Sequence, residues 1–244
     1  MPSVFLSPST QEFNPYVIGG SEEQYMNLVA DAMEPYLVSN GIRFARNNPN
    51  APLSQAINLS NSGQYDLHLA LHSNAAPPAL AGTLRGTDVY YYANSPRSEE
   101  AADIIAANFK NIYPDPSRVR TVPNTTLAEL VRTNAPAVLI EIAYHDNRQD
   151  AEWIRDNIPA IARNLVQSLT QYFGIPFVEA QTPQQMTVTT AGGALNIRSH
   201  PNTLATILGS APNGAPITVL GQWEDWYVVN YNGLIGYAAA RYIR

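Results

Sequence analysis

Apolar positions along roughly the first 173 residues follow two alternating rhythms. Val4-Phe5-Leu6 is a short apolar run closed by Ser7-Pro8-Ser9. Pro8 has no N–H to give to a ladder, so the run predicts a brief buried strand followed by a loop. After Gly19-Gly20, Ser21 followed by Glu22-Glu23-Gln24 reads as an N-cap with its capping-box partner. Apolar side chains then recur at Met26, Val29, Met33 and Tyr36/Leu37, a single helical stripe that ends near Asn40-Gly41. Residues 42–44 predict the next strand and 54–59 a second helix. Further on, 65–71 and 86–92 are strand-like, 98–113 is helical, 137–142 is the most hydrophobic strand, and 151–173 forms one or two helices with a break at Pro159. Strands alternating with helices predict an α/β fold, a three-layer, mostly parallel sheet flanked by helices.

The rhythm changes after Gly174. Residues 176–185 are polar, with no helical or strand period, and predict a linker. Beyond them short β-type runs at 186–190, 195–198, 217–222, 226–231 and 236–239 are separated by Gly, Pro and Asn turns, which predicts a small all-β barrel. The expected division is therefore a domain over 1–175, a linker over 176–185 and a second domain over 186–244.

Composition narrows the function classes. With 45% hydrophobic and 14% charged residues the chain is no disordered polymer, and a formal charge of −6 has the wrong sign for a protein that binds by neutralising phosphates. Nucleic acid is excluded as the expected partner. There are no cysteines, so disulfides, thiolate metal sites and thiol catalysis are excluded, and any metal must be held by His, Asp or Glu. No run of 18 apolar residues predicts a membrane span, and the first residues do not read as a secretion signal.

Three acid or imidazole positions stand out in the first domain. His68 and His72 share a strand and a face, but four residues at about 3.3 Å each separate them by roughly 13 Å, too far for both to hold one metal ion. His72 lies at the carboxyl end of its strand, where sites of parallel α/β sheets form, and reads either as a ligand or as a loop-capping histidine. Glu22 falls on the stripe that Met26, Val29 and Met33 bury, whereas Glu23 falls off it. A buried Glu22 needs a cation or hydrogen bonds, while an exposed first-turn acid only complements the helix dipole. Glu141 is an acid inside the most apolar strand. It is either paired with an arginine such as Arg85 or Arg132, or left with a raised pKa suited to general acid–base work. His145 and Asp146, in the loop that follows, are candidates to orient a substrate.

Taken together, residues 4–11, Ser21-Glu22-Glu23, residues 66–75 with His72-Ser73-Asn74-Ala75, residues 86–91 and residues 139–147 resemble zinc-dependent N-acetylmuramoyl-L-alanine amidases of the AmiC-like, Amidase_3 type. The resemblance spans about residues 3–173. It implies Zn2+ as cofactor, Glu22 and His72 as metal ligands and Glu141 as the catalytic carboxylate. The implied reaction is hydrolysis, by zinc-activated water, of the amide between N-acetylmuramic acid and the L-alanine of the peptidoglycan stem peptide. One position departs from that family. Its first strand ends in a Gly-His-Gly type turn whose histidine is a zinc ligand, but this chain reads Ser7-Pro8-Ser9-Thr10-Gln11, and no histidine precedes His68. Gln11, Glu12 or water would have to complete the shell, and a neutral amide oxygen is a poorer zinc ligand than imidazole.

Residues 186–244, with Leu195-Asn196-Ile197-Arg198 and Trp226-Tyr227-Val228, resemble a bacterial SH3-type domain, a module that commonly binds cell-wall peptides. The combined resemblance implies bacterial peptidoglycan as partner and an extracellular or cell-wall location. Two other readings stand beside it. One is a metal-free, inactive amidase-like protein that binds wall as scaffold or regulator. The other is a glycosidase using Glu22 and Glu141 as a carboxylate pair.

Overall fold

The computed structural model describes all 244 residues, which divide into two compact units. The first comprises residues 3–33 and 44–172, and the second comprises residues 1–2, 34–43 and 173–244.

The elements in chain order are β1 (Ser3–Pro8), α1 (Glu22–Ser39), β2 (Arg43–Arg46), α2 (Leu53–Ser62), β3 (Leu67–Asn74), β4 (Thr87–Tyr92), α3 (Pro96–Phe109), β5 (Val119–Asn124), α4 (Ala128–Val131), β6 (Ala137–Tyr144), α5 (Arg148–Asp156) and α6 (Ile158–Tyr172). They build a six-stranded sheet in the order β2-β1-β3-β6-β4-β5 with helices packed on it. β1 with β3, β3 with β6 and β4 with β5 are parallel, while β4 meets β6 antiparallel, so the sheet is mixed. Ser21 caps α1 as its sequence predicts, its Oγ accepting from the Gln24 N–H at 3.1 Å. Met26, Val29 and Met33 are fully buried, and Glu22 lies on the same stripe, 1% exposed. The helical break expected at Pro159 falls at Asn157 instead, because proline at the second position of α6 is compatible with a helix start.

Strand register explains how polar groups gather on one sheet face. Partners across parallel and antiparallel ladders point the same way, and side chains two apart share a face. Ser7 lies opposite Ala70, His72 opposite Glu141, and Glu141 opposite Asp88. The apolar part of this face, Ala70, Ala137 and Leu139, is covered by Leu130 of α4. That packing sets the preceding residue of α4, Glu129, close to the strand histidines.

The second unit contains β7 (Gln184–Thr187), β8 (Leu195–Arg198), β9 (Ile207–Ala211), β10 (Pro216–Trp223), β11 (Trp226–Tyr231) and β12 (Leu234–Ala239) in an all-antiparallel sheet of order β7-β10-β11-β12-β8-β9. One core gathers Ile197, Ile217, Val219, Val229 and Ala238. A second gathers Val178, Leu220, Val228 and Tyr237, with Val38 and Trp226 packed against it. Trp226 thus contributes to packing. Asn40 brackets Val178, donating to its carbonyl at 2.8 Å and accepting from its N–H at 2.6 Å.

Candidate functional site

His72 is the centre of the polar cluster in the first unit. Its Nδ1 lies 2.8 Å from Glu22 Oε1 and its Nε2 lies 3.1 Å from Glu129 Oε2, so both ring nitrogens face carboxylates. Burial alone would lower the histidine pKa, but hydrogen bonding to the Glu129 and Glu22 carboxylates raises it well above the usual imidazole value. Glu22 is delivered by the cap and first turn of α1. Burial would raise its pKa, yet hydrogen bonding and charge from His72, helped by Asn14 and Ser9, hold it below the usual range. Asn14 Nδ2 donates to Glu22 Oε2 at 2.7 Å.

The β1–α1 loop supplies the other wall. Gln11 Nε2 stands 3.4 Å from His72 Nδ1, and its Oε1 accepts from Asn14 Nδ2 at 3.0 Å. Glu12, an expected alternative to Gln11, is exposed. A cleft of about 600 Å³ opens here between the 7–13 and 47–53 segments, with His72 and Glu129 in its lining.

Glu141 completes the cluster from β6. Its Oε2 is sealed from solvent and has no hydrogen-bond partner. Burial is the main cause of a pKa raised to about 7; the charge of His72 lowers it, and those of Glu22, Asp88 and Glu129 raise it. Neither arginine considered as its partner bonds it: Arg85 pairs with Asp150 at 3.0 Å, and Arg132 is exposed. Asp88, facing Glu141 across the ladder, is held by Arg120 at 2.6 Å.

His145 and Asp146 serve the local backbone. His145 Nδ1 meets the Ser73 carbonyl at 2.9 Å while its ring stacks on Tyr16, and Asp146 accepts from the N–H groups of Ala76 and Gly82. His68, set aside as a ligand on distance, joins His72 through a shared carboxylate. Its Nε2 lies 3.2 Å from Glu129 Oε1, which also accepts from Ser7 Oγ, and its Nδ1 lies 3.0 Å from Ser60 Oγ. Glu129 is the residue that sequence reasoning missed. The only available signal was His68 itself, an imidazole on the inner face of a buried strand, which requires a polar partner.

The pattern of the N-acetylmuramoyl-L-alanine amidase family matches residues 14–171, well over half of the chain. The chain belongs to this amidase family. A bacterial SH3 domain matches residues 193–244, in keeping with the all-antiparallel second sheet. Similar solved structures include the amidase AmiC2 of Nostoc punctiforme, at 15% identity and TM-score 0.62, covering 71% of this chain and 97% of that one. The catalytic domain of the amidase CwlV from Bacillus (Paenibacillus) polymyxa var. colistinus matches at 16% identity and TM-score 0.62, covering 72% and 100%. The catalytic domain of the CD27L endolysin targeting Clostridia difficile matches at 20% identity and TM-score 0.59, covering 70% and 98%. At these identities the likeness is one of fold. No curated protein matches the chain.

Amidase_3 proteins are generally zinc-dependent, which makes the donor set of this member worth testing. Glu22 Oε1 and His72 Nδ1 are 2.8 Å apart, near the separation of about 3.3 Å expected for neighbouring tetrahedral ligands with ~2 Å bonds. No third His, Asp or Glu joins them in a metal-holding group. Two neutral amides stand beside the pair: Asn14, whose Nδ2 donates to Glu22 Oε2 at 2.7 Å, and Gln11, whose Nε2 lies 3.4 Å from His72 Nδ1. Glu22 and His72 are the two strong donors that stand together here, and no complete metal-holding group is formed around them.

Proposed function

We propose that this amidase hydrolyses the bond between N-acetylmuramic acid and L-alanine of peptidoglycan, with Glu22 and His72 as metal ligands and Glu141 as the catalytic carboxylate. The observation that carries this reading is the buried, unpartnered Glu141 Oε2 one strand away from the Glu22–His72 pair. A bound zinc ion would supply Lewis-acid polarisation of the scissile carbonyl and acidify the attacking water. Glu141 takes the proton of that water and passes it to the departing alanine nitrogen. Its pKa of about 7 suits both halves of the transfer near neutral pH. Gln11 and Asn14 line the same side of the cluster and fix Glu22, so the acid that faces His72 stays ionised while Glu141 exchanges its proton.

In this reading residues 1–175 form the catalytic domain, 176–185 the linker and 186–244 the wall-binding SH3-like domain. The protein acts on the cell wall outside the cytoplasm. No helix is long and apolar enough to cross a membrane. The test is incubation with purified peptidoglycan: wild type releases free L-alanine amino termini and no new reducing sugar ends. Metal analysis of protein purified without chelator finds one zinc ion per chain.

The lack of a third ionisable donor supports a second reading, a wall-binding protein that has lost catalysis. Zinc-free protein that binds peptidoglycan and releases no alanine termini would establish it.

A further inference from the structure

The second unit carries a groove that the hydrolytic reading does not use. In β8, Leu195 and Ile197 enter the core, so Asn196 and Arg198 point to the opposite face. Arg198 is the ladder partner of Tyr237, and Ala239, two residues further along β12, is the partner of Trp226, so these side chains share that face. The small Ala239 leaves a gap between the Trp226 indole and the polar side chains of β8. The turn after β12 adds a wall: the Ala240 N–H donates to the Asp225 carbonyl at 2.9 Å, which sets Arg241 and Tyr242 beside Trp226. The result is a groove of about 360 Å³, within the size range of small-ligand sites, and no acid lines it.

Both guanidinium groups in this groove are placed without an ionic partner. Arg198 Nη1 donates to the Ala205 carbonyl at 2.9 Å, and the Arg241 guanidinium lies over the Tyr242 ring, 4.8 Å from its centroid. The first contact fixes a side chain of the strand, the second holds an exposed one against a ring, and neither neutralises the charge. Two arginines that meet no carboxylate of their own suit a planar anion with two oxygens. Trp226 and Tyr242 add apolar surface, and Asn196 offers an amide that can both donate to and accept from a peptide backbone. A hydrated phosphate gains little from such rings, whereas a carboxylate joined to small apolar residues uses both halves of the groove. We propose that this groove binds the free carboxyl end of a short peptide of small residues, Arg198 and Arg241 holding the carboxylate and Trp226 packing on the residues that precede it. The proposal deepens the reading of residues 186–244 as the wall-binding domain by naming its site and ligand class, and it is independent of the Glu22–His72 cluster.

The test uses the full chain labelled with nitrogen-15 and trialanine as the probe. Trialanine is expected to shift the Trp226 indole N–H resonance saturably. Trialanine amide, which lacks the terminal charge, should bind about tenfold or more weakly, and so should trialanine to Arg241→Gln, the loss expected for a hydrogen bond to a charged group. No shift at Trp226, or equal binding of acid and amide, overturns the proposal without recourse to any variant. Inorganic phosphate that gives the same shift at the same concentration also overturns it, because the groove is then a general anion site. Co-sedimentation with purified peptidoglycan separates the groove from the wider reading. Wild type that pellets with peptidoglycan but ignores trialanine leaves wall binding standing and removes the groove. Wild type that binds trialanine but stays in solution leaves the groove standing and removes wall binding.

Discussion

Glu129 and Glu141 approach His72 from two places on one sheet face, and burial raises the pKa of both, yet they end in opposite charge states. Glu129 receives hydrogen bonds from two imidazoles and a hydroxyl, so it stays ionised far into acid. Glu141 has an oxygen with no partner and three acids near it, so it holds its proton to about pH 7. What separates them is the number of donors each oxygen meets. A fully partnered carboxylate is a structural anion, and a buried one left without donors is free to exchange protons.

The largest expected effect tests the second half of that contrast. Glu141→Gln keeps the shape and removes the proton acceptor, so release of alanine termini from peptidoglycan should fall by roughly 10²- to 10⁴-fold. A variant as active as wild type removes Glu141 from the mechanism. Glu129→Ala should show its largest effect on stability. It strands a charged His72 and a buried His68 without their acceptor, at a cost of about 3–5 kcal/mol in urea unfolding. If both variants lose stability equally, the distinction between structural and reactive acid fails.

The pH dependence of stability sharpens the same comparison, with opposite signs. Glu141 has a folded pKa of about 7 against 4.5 for an unperturbed glutamate, so between those values the folded state holds a proton that the unfolded state releases. Stability from this group is full below pH 4.5 and is lost as pH rises through 7, about 3 kcal/mol in all. Glu129 has a lowered pKa, so its contribution is present above pH 4.5 and is lost as pH falls. Unfolding of wild type and Glu141→Gln in the presence of chelator should therefore give free energies that diverge from pH 5 to 8, wild type losing more. Parallel curves would show that Glu141 is not held protonated.

Much of this arrangement is legible in the residues. The phase of the α1 stripe buries Glu22, and an acid within an apolar strand marks Glu141. The end of an apolar strand marks His72, because strand alternation and sheet topology both act locally. Glu129 is different. Ala-Glu-Leu-Val is a four-residue helix that gives no periodic signal, and Glu129 is buried only because Leu130 docks on Ala70 and Leu139 from distant strands. β5 and β9 escape notice for a related reason. Both are edge strands, one containing Arg120 and Pro123 and the other Gly209, and an edge tolerates residues that weaken the strand pattern. The antiparallel meeting of β4 and β6 likewise depends on chain path, which periodicity does not encode.

The smallest effects probe the outermost supports of Glu129. The Ser60 hydroxyl lies 3.0 Å from His68 Nδ1, on the side of the imidazole away from Glu129. Ser60→Ala leaves that buried ring nitrogen without a partner and should cost about 1 kcal/mol, whereas Ser7→Ala removes a donor to a carboxylate and should cost about 2 kcal/mol. Neither residue contacts Glu141, so release of alanine termini at saturating zinc should stay within about twofold of wild type for Ser60→Ala. If Ser60→Ala instead lowers activity as much as Glu141→Gln does, the two acids belong to one proton pathway and their separation into structural and reactive roles is wrong.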